Sequence, residues 1–265
     1  IYGSFFFNFN FKNTILYKFL ATELINNFYY NSDLSMPLYP ILMSVSKIVF
    51  NNFYVFDFIL SSLFPIIIYF LTFEIFKNRI GSLTSALVVA IYPMNIFYSI
   101  SGLSENFYVF FLYSSFLFFY KKNYVFGIIM IILCLYTRAV VLYYVPILIL
   151  SFFYINNESL KSSIKILIQF FILFIVMFSP WWSLNYVKYD SLVLTHPGTG
   201  LVLNLGNNKH NKSGGNDMGV DTNYSEYRSY DSIYDNKYDK DQALISEAIL
   251  YIQNNPKHFF QLSIK

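Results

Sequence analysis

The chain has 265 residues, of which 56% are hydrophobic, 22% aromatic and only 12% charged, with a formal net charge of +3. A soluble domain carries roughly 25% charged residues, so burial in a bilayer is the first expectation. Lys and Arg gather at the ends of apolar runs, where they set topology, so no nucleic-acid partner is expected, and the single cysteine, Cys134, excludes an intrachain disulfide.

Ile1 opens the sequence without a basic segment, an apolar core and a small-residue cleavage site, so no signal peptide is expected. Both ends read as cropped, with one span expected before Ile1 and another after Lys265. Residues 1 to 33 mix aromatics with Asn and charge. From Thr14 to Asn26, Leu16, Leu20 and Leu24 stand beside Tyr17 and Ala21 at helical spacing, which predicts a helix lying at the interface. Met36 to Phe50 is apolar but holds Pro37, Pro40 and Lys47, and it is shorter than the roughly 17 to 25 residues of a spanning helix. It is expected to be interfacial or re-entrant, with a short transmembrane helix as the rival.

Charge-free windows such as Phe58 to Phe73, Ile80 to Ser104 and Ile166 to Val187 then predict spans at 56 to 76, 80 to 98, 105 to 120, 123 to 137, 139 to 155 and 164 to 182. Arg138 alone interrupts the run from 123 to 157. A charge at mid-bilayer costs about 2.5 to 3.5 kcal/mol, so Arg138 is expected in a tight turn between two antiparallel helices. Lys77 and Arg79, then Lys121 and Lys122, then Lys161 and Lys165 mark every second connection, and the positive-inside rule places these in the cytoplasm. Residues 1 to 55, the turns at 99 to 105 and at Arg138, and everything after about 183 are then extracytoplasmic.

From Asn185 the composition turns polar, and 204 to 241 is rich in Asn, Gly, Asp, Ser and Tyr. Long ordered loops on a rigid scaffold more often bind than merely connect. Lys240 to Asn254 repeats Ala243, Ile245, Ala248, Ile249 and Ile252 at helical spacing and stops before Pro256, which predicts a short amphipathic helix. The expected fold class is all-α: a polytopic transmembrane bundle with interfacial helices and a polar extracytoplasmic loop region. It divides into an interfacial segment (1–55), a six-span bundle (56–183) and a polar loop with an amphipathic helix (184–265).

Four stretches resemble a known family. They are Tyr17 to Ala21 (YKFLA) before Pro37 to Pro40 (PLYP); Pro93 to Glu105 (PMNIFYSISGLSE); Thr137 and Arg138 after a span; and Pro180 to Tyr186 (PWWSLNY) followed by 198 to 208 (GTGLVLNLGNN). Their order resembles that of the membrane glycosyltransferases that use polyprenyl-phosphate sugars, the protein O-mannosyltransferases and lipid A aminoarabinose transferases. The resemblance implies transfer of a sugar from a polyprenyl-phosphate donor to a hydroxyl acceptor at the extracytoplasmic membrane face.

Such a transfer needs a carboxylate to take the acceptor's proton and cationic or amide donors to hold the departing phosphate. The family's base is an Asp four residues before the Tyr of the YxxxA stretch, and that position here is Asn13, which cannot accept a proton in that role. Three explanations stand: the register is off by a few residues, another carboxylate substitutes, or this chain does not catalyse; Glu105, Asp33 and Glu23 are the nearest candidates. Glu105 leads, because it starts a span on the outer face, where the resemblance also implies an acidic residue; its structural alternative is a helix-end charge.

For the donor phosphate the candidates are Arg138, whose guanidinium suits bidentate binding, and Lys47; both also suit interface anchoring. Substrate-binding candidates are Tyr17, Pro37, Tyr39, Asn185, Gly200, Asn204, Gly206, Asn207 and Asn208, with an ordinary solvated loop as the competing account of the last five. No cofactor is demanded by the residues and a divalent metal stays open. His196, His210 and His258 lack ligand spacing, and the Asp-rich stretch 217 to 241 lacks an EF-hand pattern. Two other classes stand beside the enzyme: a catalytically inactive relative, suggested by Asn13, and a lipid-carrier transporter, which would need polar residues inside the spans.

Overall fold

The computed structural model describes residues 12–28, 30, 35–211 and 233–264, and among these there is helix but no strand. Asp33 and the stretch from 212 to 232 lie outside the described residues. The chain forms two compact units, Ile1–Phe178 and Ser179–Lys265.

The first unit holds α1 (Lys12–Asn27), α2 (Leu38–Phe50), α3 (Val55–Phe76), α4 (Arg79–Ile91), α5 (Pro93–Ser101), α6 (Glu105–Tyr120), α7 (Tyr124–Thr137), a 3-10 turn (Ala139–Tyr143), α8 (Val145–Ile155) and the first part of α9 (Leu160–Tyr189). The breaks have local causes. Lys77 adopts a left-handed conformation at the end of α3 and donates its N–H to Phe73 O at 2.8 Å. Asn78 then caps α4, its side chain accepting from the N–H groups of Ile80 and Gly81 at 3.0 and 3.1 Å. Tyr92 is extended because Pro93 follows it, so α4 and α5 meet at a 49° bend.

Side-chain contacts fix the directions. Asn106 Nδ2 donates to Asp57 O at 2.8 Å, and the rings of Phe64 and Tyr113 lie 5.5 Å apart. Lys121 Nζ sits 5.3 Å from the Phe70 ring, so α3 and α6 run parallel in register. The α7 helix returns against α6, with Gly127 facing the Phe119 ring, where an added Cβ would come within 3.1 Å. Asn156, just beyond α8, donates to Phe119 O at 2.8 Å, and Phe178 of α9 stacks on Tyr136 of α7 at 4.3 Å. One end of this unit therefore carries Asp57, Glu105 and Arg138, and the other carries Lys77, Lys121, Lys122 and Glu158.

Among the described residues, two helices are long and apolar enough to cross a membrane, α3 with 22 residues and α9 with 30; the bent pair α4 and α5 makes up to three. At 1.5 Å per residue α3 alone reaches about 33 Å. The other expected spans fold as shorter or broken helices. The expected span at 80 to 98 is a broken helix, because Pro93 cannot continue α4. The expected span at 139 to 155 begins as a 3-10 turn and leaves α8 only 11 residues, with Pro146 near its start. Helices α6 and α7 stand where they were expected but have 16 and 14 residues. Within Met36 to Phe50, Leu38–Phe50 forms one short apolar helix, α2, and the helix predicted over Thr14 to Asn26 is α1, with Leu20 and Ala21 buried.

The second unit begins with the last turns of α9 and continues through α10 (Thr199–Gly206), α11 (Lys237–Asn254) and α12 (Pro256–Ile264). Residues 190 to 197 fold back on α9. Trp182 Nε1 donates to Leu194 O at 3.0 Å, and Asn185 Nδ2 donates to Val193 O at 3.0 Å and Thr195 O at 3.2 Å. The amphipathic helix predicted at 240 to 254 is α11, which starts three residues earlier at an Asn236 cap and ends before Pro256 as expected.

Candidate active site

The Arg138 end of the first unit gathers polar groups from α1, α5, α6 and the turn after α7. Thr14 Oγ1 donates to Ser101 O at 2.7 Å, and the Tyr17 hydroxyl lies 3.1 Å from Ser104 Oγ. These bonds hold α1 against the α5 to α6 turn. The turn itself needs Gly102, whose φ of +68° is a left-handed conformation and whose place leaves no room for a Cβ beside Tyr54 and Thr14. Ser104 precedes α6, so Glu105 sits in its first turn, where the helix dipole favours a carboxylate.

Arg138 forms an ion pair with Glu105 through Nη1, and both side chains are partly exposed, at 41% and 30%. The backbone of Arg138 is extended between α7 and the 3-10 turn, the predicted reversal between two helices. Both charges act on the Tyr17 phenol, which burial pushes above the usual tyrosine range. Asn13 is exposed one helical turn before Tyr17 on the same face of α1. Structure thus brings Tyr17, Glu105 and Arg138 together, and it adds Thr14 and Ser104.

Behind this cluster lies a buried anchor. Tyr39 is 0% exposed, packs edge-on against Tyr17 at 4.9 Å and Phe107 at 5.1 Å, and donates to Asp57 Oδ1 at 3.1 Å. Asp57 is also fully buried, and its Oδ2 has no hydrogen-bond partner among the described residues. Ser61 Oγ, one turn further along α3, is likewise buried and unpartnered. Tyr39 therefore stands in the core beside Ala21, Met43 and Phe107. Pro37 precedes α2 as its N-cap residue. Lys47 closes the C-terminal end of α2, donating to Asn51 O at 3.2 Å and Asn51 Oδ1 at 2.8 Å.

The remaining candidates belong to the second unit. Asn185 is buried in the clasp with Val193 and Thr195. Asn204 donates to Glu247 Oε2 at 3.1 Å. Asn207 and Asn208 turn their amides onto the last carbonyls of α10, Asn207 onto Leu203 O at 2.9 Å and Asn208 onto Asn204 O at 3.0 Å. These side chains finish a helix, a role that amides fill at termini.

At the other terminus of α10, Asp241 Oδ1 accepts from the N–H of Gly200 at 2.7 Å. The N–H groups of Leu201 and Gly198 also bond this carboxyl, yet burial prevails and raises it above the usual aspartate range. Gly200 is needed there, since a Cβ would overlap the backbone carbonyl of Asp241, whereas Gly206 has nothing within 4 Å. Gly200→Ala is therefore expected to loosen α10 from α11 by about 1 to 3 kcal/mol, and Gly206→Ala to leave the unit within about 0.5 kcal/mol of the parent. Hydrogen exchange of the α10 amides distinguishes them, and equal protection in both variants would dismiss this packing.

Among the described residues no group of three or more His, Cys, Asp and Glu stands together as metal ligands. Thr14, Ser104 and Asp57 are the polar groups that sequence reasoning passed over, and Asp241, read there as solvated charge, instead holds the start of α10. The one available signal for Asp57 was a lone charge at the start of an apolar span. Comparison with protein-family models, curated proteins and solved structures gives no match.

Proposed function

We propose that the chain is a multi-pass membrane glycosyltransferase that moves one sugar, with inversion, from a polyprenyl-phosphate carrier to a hydroxyl of a protein, lipid or glycan acceptor. The working face is the extracytoplasmic one. What supports this reading is one observation above all: a carboxylate, a guanidinium and a phenol meet at the end opposite Lys77 and Lys121. Basic residues mark the cytoplasmic side, so the cluster falls on the other.

In this mechanism the ion pair is the resting state. A donor phosphate competes for the Arg138 guanidinium, which has further N–H donors, and so releases Glu105. The acceptor oxygen attacks the anomeric carbon and forms the new glycosidic bond. The bond from that carbon to the phosphate oxygen breaks, and the phosphate leaves with the electron pair, held by Arg138. Glu105 takes the acceptor's proton.

A second reading is favoured by Asn13, exposed on the Tyr17 face where the resembled enzymes carry their base: a relative that binds the lipid carrier without turning it over. One experiment separates the two. The full chain is reconstituted in vesicles with a polyprenyl-phosphate sugar and a hydroxyl acceptor. Transfer by the parent that falls in Glu105→Gln supports the enzyme. Transfer only by Asn13→Asp supports the silent relative, and transfer by neither overturns the proposal.

A further inference from the structure

The charge-free stretch of α9 from Ile166 to Val187 covers about 33 Å at 1.5 Å per residue, enough for one bilayer core. Beyond it Asp190 takes a left-handed conformation, φ 51°, and donates its N–H to Tyr186 O at 2.9 Å. The chain thereby turns back along the helix it has just left. Residues 191 to 195 come down beside Asn185, Trp182 and Trp181. Trp182 stands more than one helical turn before Val187, so the returning segment reaches about 8 Å back inside the apolar stretch.

Irregular backbone at that depth is costly unless its carbonyls are bonded, because hydrocarbon offers no donor. Side chains of α9 bond three consecutive carbonyls here. Asn185 Nδ2 donates to Val193 O at 3.0 Å, Trp182 Nε1 donates to Leu194 O at 3.0 Å, and both Trp181 Nε1 and Asn185 Nδ2 donate to Thr195 O. Trp181 and Asn185 are buried one helical turn apart, which fixes these donors in place. The side chains of the segment sort by environment. Val193 is buried, whereas Leu192 is 62% and Leu194 49% exposed. A loop facing water can leave its carbonyls to water; this one has them bonded and turns leucines outward. Both tryptophans of the chain stand at this point, and tryptophan is the residue that gathers at membrane boundaries.

We propose that residues 191 to 195 form a strap immersed in the interfacial layer of the bilayer, with Leu192 and Leu194 among acyl chains and Asp190 at the level of the headgroups. The partner is lipid, continuous with the lipid that meets the exposed Ile172, Ile175 and Val176 of α9. The inference rests on the reading of α9 as a span and is independent of the transferase chemistry.

Single cysteines in the full chain carrying Cys134→Ser test the strap, each labelled with a fluorophore in phosphatidylcholine vesicles: Leu192→Cys, Leu194→Cys, Ile175→Cys within the span and Asp190→Cys at its end. Phospholipid brominated high in its acyl chains should quench the two strap probes several-fold more than aqueous iodide does, and the Asp190 probe should show the reverse. Fluorescence of Trp181 and Trp182 in the unlabelled parent reads the same contrast without a substitution, and should also favour the brominated lipid. Strap probes quenched by iodide as strongly as the Asp190 probe, while lipid alone reaches Ile175, would overturn the strap and leave the span standing. Strap probes that neither quencher reaches would overturn it as well, because protein then covers the leucines. An Ile175 probe open to iodide would overturn span and strap together.

Discussion

Tyr39→Ala is expected to destabilise the first unit by about 3 to 5 kcal/mol, the range for deleting a buried aromatic side chain. The ring fills space against Ala21, Met43 and Phe107, and Tyr17 rests on its edge. Its loss also takes the Tyr39 hydroxyl from Asp57 Oδ1, in a buried carboxyl whose Oδ2 has no partner among the described residues. Tyr39→Phe keeps the ring and removes only the donor, so about 1 to 3 kcal/mol is expected. Thermal unfolding of the two variants in the same detergent ranks them. If Tyr39→Ala melts within a degree of the parent, the anchor behind the cluster has been misplaced.

The largest effect on activity is expected from Arg138→Ala, which should lower transfer about 100-fold to 1000-fold, as loss of one charge-stabilising donor does elsewhere. Arg138→Lys should restore only part, since an ammonium cannot hold two phosphate oxygens in the plane of a guanidinium. Stability should change by about 1 kcal/mol or less, because the pair with Glu105 is partly exposed and screened. Single-turnover transfer with a polyprenyl-phosphate sugar measures the first effect and calorimetry the second. Parent-like turnover in Arg138→Ala would remove this residue from phosphate binding.

Much of the fold was legible because bilayer and helix physics act on runs of residues. The charge-free window after Asp57 gave α3, the periodicity after Lys240 gave α11, and the cost of a central charge put Arg138 in a turn. Two spans were read as too regular. Pro93 breaks one by fixing Tyr92 in an extended conformation, and residues 139 to 143 tighten into a 3-10 turn, neither of which hydropathy senses.

The site divides in the same way. Glu105 and Arg138 stood out as single charges bounding apolar runs, and their pairing follows from two helix ends meeting at one level. Tyr17 was legible by position in its motif. Tyr39 and the amides from Asn204 to Asn208 carry suitable chemistry, but that chemistry is turned inward onto Asp57 and onto the carbonyls of α10. Sequence shows which groups a side chain has and conceals what they already hold. Asp241 was read as solvated charge for the converse reason, since its partner in α10 lies 41 positions away.

The carboxyl of Asp241 makes α10 a helix with a built-in rival for its own amino end. A tethered group of this kind acts at an effective concentration in the millimolar range or above, fixed by the chain that carries it. Any free anion drawn to those amides must outcompete that permanent occupant.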